Sequence, residues 1–318
     1  MTRPRPSRPP AQRGAPGEPP AGVGRTALGA AIFRAIESRR ADRLFADPYA
    51  AAFLAAAPAV LHRANRGTLA RLGIATGAAF QTHVVIRTRF FDDYLLAAAA
   101  AGVRQLVLVA AGLDTRAYRL AWPAGCRLFE VDLPEVLEFK HRVLAARAAV
   151  PSCDRRPVPA DLREDWTTPL VAAGLHPDQP TGWLLEGLLS YLSAGEAEAL
   201  LRAVGRLSAA GSRLACEAGD PGAGELRERA RATPAVAEFA RLWRGGLPDP
   251  AGWLTDQGWR VSHHDGAAVT AGYQRTVPGP VAGGGFLTAV RPSTAPPPVG
   301  GQSTGAGPAA GSGRPRRK

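Results

Sequence analysis

The sequence predicts an α/β fold: a seven-stranded, mostly parallel sheet with helices on both faces, a helical N-terminal cap and a lid insertion before the last strands. Three observations carry this. Seven short apolar runs recur after residue 103: RQLVLVA (104–110), CRLFEVD (126–132), RRPVPAD (155–161), GWLLEG (182–187), SRLACEA (212–218), GWRVSHHD (258–265) and GGFLTAV (284–290). The first five are separated by helix-length stretches, the spacing of strand–helix–strand units in a parallel sheet. The last two lie close together, as expected of an antiparallel hairpin at one edge.

Each element follows in order. RTALGAAIFRAIESRR places Leu28, Ile32, Ala35 and Ile36 on one stripe of a helix. VVIRTRFFDDYLLAAAAAG reads as a second amphipathic helix ending at Gly102. Together they make residues 25–103 a helical cap and lead-in helix, before a domain over 104–291. RRPVPAD carries two prolines and suits only a short or edge-like strand. Residues 220–255 (from PGAGELRERARATPAVAEFARLWRGGLPDP onward) read as lid helices on a Gly/Pro-rich hinge. Residues 1–24 and 292–318 are rich in Pro, Gly and Ser or Arg, too apolar-poor to offset their ordering entropy, and are expected to be disordered.

The net charge is +12, which raises nucleic acid as a partner. Residues 1–25 and 292–318 each supply four of those charges, leaving a mild +4 for 26–291. No basic stripe interleaved with aromatics appears, so no specific nucleic-acid site is expected. The longest nearly uncharged apolar stretch, Tyr49 to Leu61, is too short for a bilayer and contains Pro58. No apolar segment follows the basic N-terminus as a secretory signal would require. Cys126, Cys153 and Cys216 lack metal-ligand or CxxC spacing, which suits free thiols in a reducing cytoplasm.

In an open parallel sheet, ligands bind beyond the carboxyl ends of the strands. Here those ends carry Ala110-Ala111-Gly112, then Asp132, then Asp161-Leu162, then Glu186. A glycine lets backbone approach a ligand where a Cβ would clash. Asp132 lies 20 residues past Gly112, the interval at which a carboxylate takes ribose hydroxyls. Asp161 suits an exocyclic amine with Leu162 against an adenine ring, and Glu186 suits an ammonium group. Together these describe adenosine joined to an amino acid, the outline of S-adenosyl-L-methionine. Gly112 is expected to make way for its methionine half. Each residue also has a plainer reading: Gly112 as a strand end, Asp132 as an N-cap for the helix at Pro134, Asp114 and Thr115 as helix caps. Glu130 shares the strand parity of Asp132 and competes with it for the ribose. His263 and His264, neighbours on a strand, point to opposite faces and read as structural, so no metal site is expected.

The motifs LVAAGLDTRAYRL, FEVDLP, PADLRED and LLEGLLSYL, with ADRLFADPYAAAFL and IRTRFFDDYL before them, resemble the leucine carboxyl methyltransferase-like superfamily in its bacterial branch. The resemblance spans roughly residues 24–291. It implies a class I methyltransferase (Rossmann-like) fold, S-adenosyl-L-methionine as cofactor, and contacts from Arg87, Gly112, Asp132, Asp161, Leu162 and Glu186. Arg87 then grips the methionine carboxylate, as a guanidinium does bidentately. The family loop often reads GAG, and this chain has Ala110 in place of the first glycine; ordinary φ/ψ is expected there. The activity implied is O-methylation of a small-molecule hydroxyl or carboxylate by in-line transfer. His83 and Tyr191 are the candidate bases, and the acceptor is expected near Phe90–Tyr94, Leu189–Tyr191 and the insertion. Two rivals stand beside this. A nicotinamide dehydrogenase lacks its G-x-G-x-x-G, since Asp114-Thr115 sits where later glycines belong. A non-catalytic binding protein could share the fold.

Overall fold

A computed structural model of the chain describes residues 24–57, 74–219, 241–276 and 284–293. The tails expected to be disordered fall almost wholly outside these residues, as does 220–240 of the insertion. The seven strands are β1 (Gln105–Val109), β2 (Arg127–Asp132), β3 (Asp154–Pro159), β4 (Thr181–Leu185), β5 (Arg213–Glu217), β6 (Arg260–His264) and β7 (Phe286–Val290). They form one sheet in the order β3-β2-β1-β4-β5-β7-β6. The first five are parallel, and β7 runs antiparallel between β5 and β6. The hairpin exists as the spacing implied, and the proline-bearing β3 takes an edge.

The central strands are buried on both faces, and side-chain alternation sorts their residues between two cores. Val107, Val109, Phe129, Val131, Trp183 and Leu185 enter one, with Trp166, Leu201 and Val204. Leu106, Leu108, Leu128 and Leu184 enter the other, with Phe91, Leu95 and Phe286. The helices covering these faces are α1 (Gly24–Glu37), α2 (Ala50–Ala55), α3 (Ile74–Ala100), α4 (Arg116–Arg119), α5 (Pro134–Ala145), α6 (Thr167–Ala172), α7 (Ala194–Arg206), α8 (Pro250–Asp256) and α9 (Gly266–Gly272). Helix α7 starts at a capping box: Ser193 accepts from the Glu196 backbone while the Glu196 side chain accepts from Ser193. Among the described residues no helix is long and apolar enough to cross a membrane.

Helices α1 and α2 pack through Leu28 and Phe53 on Leu113 and on Phe139 of α5. Ion pairs fasten this layer to the rest. Arg34 of α1 donates to Asp47 at 2.9 Å and to the Leu113 carbonyl at 2.7 Å. Arg275, beyond α9, pairs with Glu37 and Asp42, each at 2.6 Å. The segment before the sheet is thereby held directly over the loop that follows β1.

Glu130 lies inside the molecule, with Lys140 of α5 at 2.8 Å and Arg155 of β3 at 2.6 Å. Removing one partner of a buried pair leaves an uncompensated charge. Glu130→Gln, which leaves both Lys140 and Arg155 without a counter-charge, is therefore expected to cost about 3 kcal/mol, measured by urea unfolding. Lys140→Met should lose less than Glu130→Gln, because Glu130 keeps Arg155 as its partner.

Candidate active site

The sheet order brings the expected residues into one row. At the carboxyl edge, Asp161, Asp132, Gly112, Glu186 and Glu217 follow β3, β2, β1, β4 and β5, five adjacent strands. Glu217 was not singled out from the sequence, though it ends its strand as an acid, like Asp132.

Gly112 and Asp132 meet directly. The Gly112 N–H donates to Asp132 Oδ2 at 2.6 Å, and the Leu133 N–H to Oδ1 at 2.7 Å. Burial pushes the Asp132 carboxyl up to about 6, against the pull of those two backbone donors. The N-cap of α5 is Leu133, with no side-chain cap bond, so Asp132 is not the cap. Its competitor Glu130 is committed to Lys140 and Arg155. Between the two acids, Asp132 is the one at the strand end.

The β1 loop corrects two expectations. Ala110 has φ +56° and Gly112 φ +50°, so Ala110 adopts the left-handed conformation rather than an ordinary one. The turn imposes that geometry whichever residue occupies it. A Cβ built on Gly112 would stand 3.1 Å from the Ala27 Cβ. The room left by Gly112 is therefore taken by α1, not by open space for a ligand. The capping expectation is half met: Asp114 Oδ1 accepts from the Arg116 N–H at 2.6 Å, but the Thr115 hydroxyl makes no cap bond.

Arg87 reaches from α3 to two strand ends. Its Nε donates to Glu186 Oε1 at 3.0 Å and its Nη1 to Glu217 Oε1 at 3.1 Å. Glu186 Oε2 accepts from Arg116 at 2.7 Å. Arg116 also holds Asp92 at 2.6 Å, Asp114 and the Thr88 carbonyl. Burial works against the charge on Glu186, but Arg116 and then Arg87 hold its carboxyl below the usual range. At the row's far end Asp161 pairs with Arg163, chiefly through side-chain hydrogen bonds that lower its pKa, while Leu162 rests against the core.

The candidate bases and acceptor residues are less open. His83 stacks on Phe286 with ring centroids 6.1 Å apart; burial, then the Arg87 charge, push its pKa down to about 4. Tyr191 is half-buried on a 3-10 turn, Leu189–Tyr191. Phe90 stacks on Phe286 at 4.5 Å, and the Tyr94 hydroxyl points at the Trp183 carbonyl at 3.5 Å. Both are packing residues, because α3 presents that face to the sheet. The segment returning from the insertion does reach the post-β4 turn: the Arg244 N–H donates to the Ser190 carbonyl at 2.8 Å. His264 bonds Thr288 at 2.9 Å, a structural contact.

A parallel five-strand block, an inserted antiparallel β7 and an acidic carboxyl edge define the class I methyltransferase fold. A crystal structure named as a methyltransferase from Thermobifida fusca shares it, at TM-score 0.50 and 18% identity, covering 70% of this chain and 88% of that one. Residues 27–205 match the leucine carboxyl methyltransferase family. A Parafrankia sp. protein named as an S-adenosyl-L-methionine-dependent methyltransferase is 54% identical over 275 residues, 85% of this chain and 88% of its own length. A Streptomyces coelicolor protein named likewise is 45% identical over 285 residues, 86% of this chain and 96% of its own. The chain belongs to the leucine carboxyl methyltransferase family and is a methyltransferase.

The loop geometry makes a paired prediction. Left-handed φ costs a non-glycine residue roughly 1 kcal/mol, so Ala110→Gly should be neutral or raise the melting temperature. Gly112→Ala should lower it by several degrees, since strain adds to the Ala27 contact. Differential scanning calorimetry of the two variants reads both signs.

Proposed function

We propose that the carboxyl edge binds S-adenosyl-L-methionine and that the enzyme methylates an oxygen of a small molecule, a hydroxyl or a carboxylate. The cofactor is S-adenosyl-L-methionine. The observation that supports this placement is the row of five strand ends, in which the Gly112–Asp132 bond adjoins the Arg87–Glu186 pair. The donor set fits the molecule's chemistry. Asp132, fixed by two backbone N–H groups, keeps lone pairs for the ribose hydroxyls. Asp161 and Leu162 stand one strand further out, for the adenine. Arg87, held edge-on by two carboxylates, suits an amino-acid carboxylate.

The bound cofactor supplies a methyl already activated on a sulfonium. The protein's part is to orient the acceptor and exclude water. A hydroxyl acceptor would need a proton removed, whereas a carboxylate is already ionised and needs no base. His83, with its depressed pKa, is a poor proton acceptor at neutral pH. That favours a carboxylate, with an ester as product. Cys126, Cys153 and Cys216 are unpaired, which suits work in a reducing cytoplasm.

S-adenosyl-L-methionine or S-adenosylhomocysteine should raise the melting temperature, as any ligand of the native state alone must, and NADH should not. A flat response to both sulfur compounds sinks the reading. Asp132→Ala should abolish the shift. Affinity for S-adenosylhomocysteine should weaken as pH falls from 8 to 5, because protonation near pH 6 removes acceptor capacity from Asp132. Asp132→Asn should flatten that profile. The same raised pKa acts oppositely on folding: the native state binds the proton first, so this group stabilises the ligand-free protein at acid pH and loses that effect as pH rises through 6. For the acceptor, labelled methyl is transferred into a metabolite extract and the products treated with mild alkali. Volatile methanol marks an ester; a stable label marks an ether and overturns the carboxylate preference.

A further inference from the structure

Lys140 is a buried cation to which the site described above gives no role. Its side chain is fully enclosed on α5, the helix that begins just past β2 and Asp132. An ammonium taken out of water is costly unless carboxylates compensate it. Its Nζ lies 2.8 Å from Glu130 Oε1, an ion pair without hydrogen-bond alignment, so it acts as a point charge. The other oxygen of Glu130 takes Arg155 at 2.6 Å. One carboxylate thus answers two cations, and the trio carries one positive charge in excess.

That excess lies behind the cofactor edge. Glu130 and Asp132 stand two residues apart on β2, so both side chains leave the strand on the side from which Lys140 reaches it. Asp132 itself is fixed by the Gly112 and Leu133 N–H groups. Burial pushes its carboxyl up to about 6; those two donors and then Lys140 pull it down, and Glu130 pushes it up. Burial lowers the Lys140 ammonium, Glu130 and Asp114 of the β1 loop oppose that, and Arg155 adds to it.

We propose that Lys140 is a positioning residue of the cofactor site, its buried ammonium keeping the Asp132 carboxylate ionised to accept the ribose hydroxyls. This assignment rests on the ribose placement at Asp132 proposed above. With a midpoint of about 6, ionised Asp132 exceeds its protonated form about tenfold at pH 7. An opposite charge close by is worth about one unit or more. Loss of Lys140 then brings the two forms to about equal amounts at pH 7, and the protonated acid offers fewer lone pairs.

The test is calorimetric titration of the wild type and Lys140→Met with S-adenosylhomocysteine at pH 6 and pH 9. At pH 6 the variant should bind about fivefold more weakly, as a midpoint raised by about one unit requires. At pH 9, where Asp132 is ionised in both proteins, the two should agree. Lys140→Arg, which keeps the charge, should restore binding at pH 6. Lys140→Gln serves if the Met variant fails to fold. Weakening by one factor at both pH values marks a structural role and overturns the proposal, as does unchanged binding at both. Carbon-13 titration of the Asp132 carboxyl in the ligand-free protein, identified by its loss in Asp132→Asn, tests the link without the cofactor. A midpoint that rises in Lys140→Met supports the link, and an unmoved midpoint overturns it. If the midpoint rises but the wild type binds no S-adenosylhomocysteine, it is the cofactor placement that falls.

Discussion

Arg116 sits where the helical layer, the β1 loop and the β4 end converge. Its guanidinium is 1% exposed and spends its protons on Asp92 and the Thr88 carbonyl of α3, on Asp114 of the loop, and on Glu186. A guanidinium's fork is fixed, so these partners can be satisfied together only in one relative placement of the three elements. Burying that charge with a partner missing would cost several kcal/mol, which makes the arrangement close to all-or-none. Glu186 therefore reaches the carboxyl edge already oriented, and Arg87 inherits its position from Glu186. The candidate site is thereby oriented through a buried cation that holds Glu186 directly.

The β1 loop is constrained from the opposite side. Arg34 holds the Leu113 carbonyl, Ala27 fills the space beside Gly112, and Asp132 takes the Gly112 N–H. Three contacts, two from α1 and one from β2, thus fix one turn, which explains how Ala110 tolerates φ +56°. Strain at one residue persists where surrounding contacts over-determine its conformation. It also changes the first meaning of Gly112: its missing side chain admits a helix, and its N–H fixes Asp132.

The sheet was legible because its signal is local. Apolar runs, their spacing and the closeness of the last two carry the strand count, the parallel block and the antiparallel edge without any long-range knowledge, and two prolines marked β3 as an edge strand. The row of acids was legible because a parallel sheet places all its carboxyl ends together. What stayed hidden depends on partners distant in sequence. Nothing in LVAAGLDT shows that α1 covers the turn. Nothing in IRTRFF shows that Arg87 lies between two carboxylates 99 and 130 residues away. Phe90, Tyr94 and His83 looked available only because which face of α3 turns toward β7 depends on a strand nearly 200 residues further on. Glu217 was within reach, since SRLACEA ends in an acid as FEVDLP does, and the same strand-end rule applied to β5 would have found it.

The two aspartates of the row differ in a way that bears on recognition. Asp132 is held by backbone N–H groups that cannot swing away, so its geometry is set before any ligand arrives. Asp161 is held by Arg163, whose side chain is 51% exposed and belongs to the same turn. An exposed ion pair contributes little and breaks at small cost. Under the proposed placement the ribose end of the cofactor meets a rigid acceptor and the adenine end an adjustable one. The methionine end meets an ion-paired network in which every move of one group alters its neighbours. Stiffness along the edge thus rises toward the atom that carries the methyl, where a misplacement of about 1 Å is enough to slow transfer on the order of a hundredfold. That gradient, more than any single contact, is what the buried arginines provide.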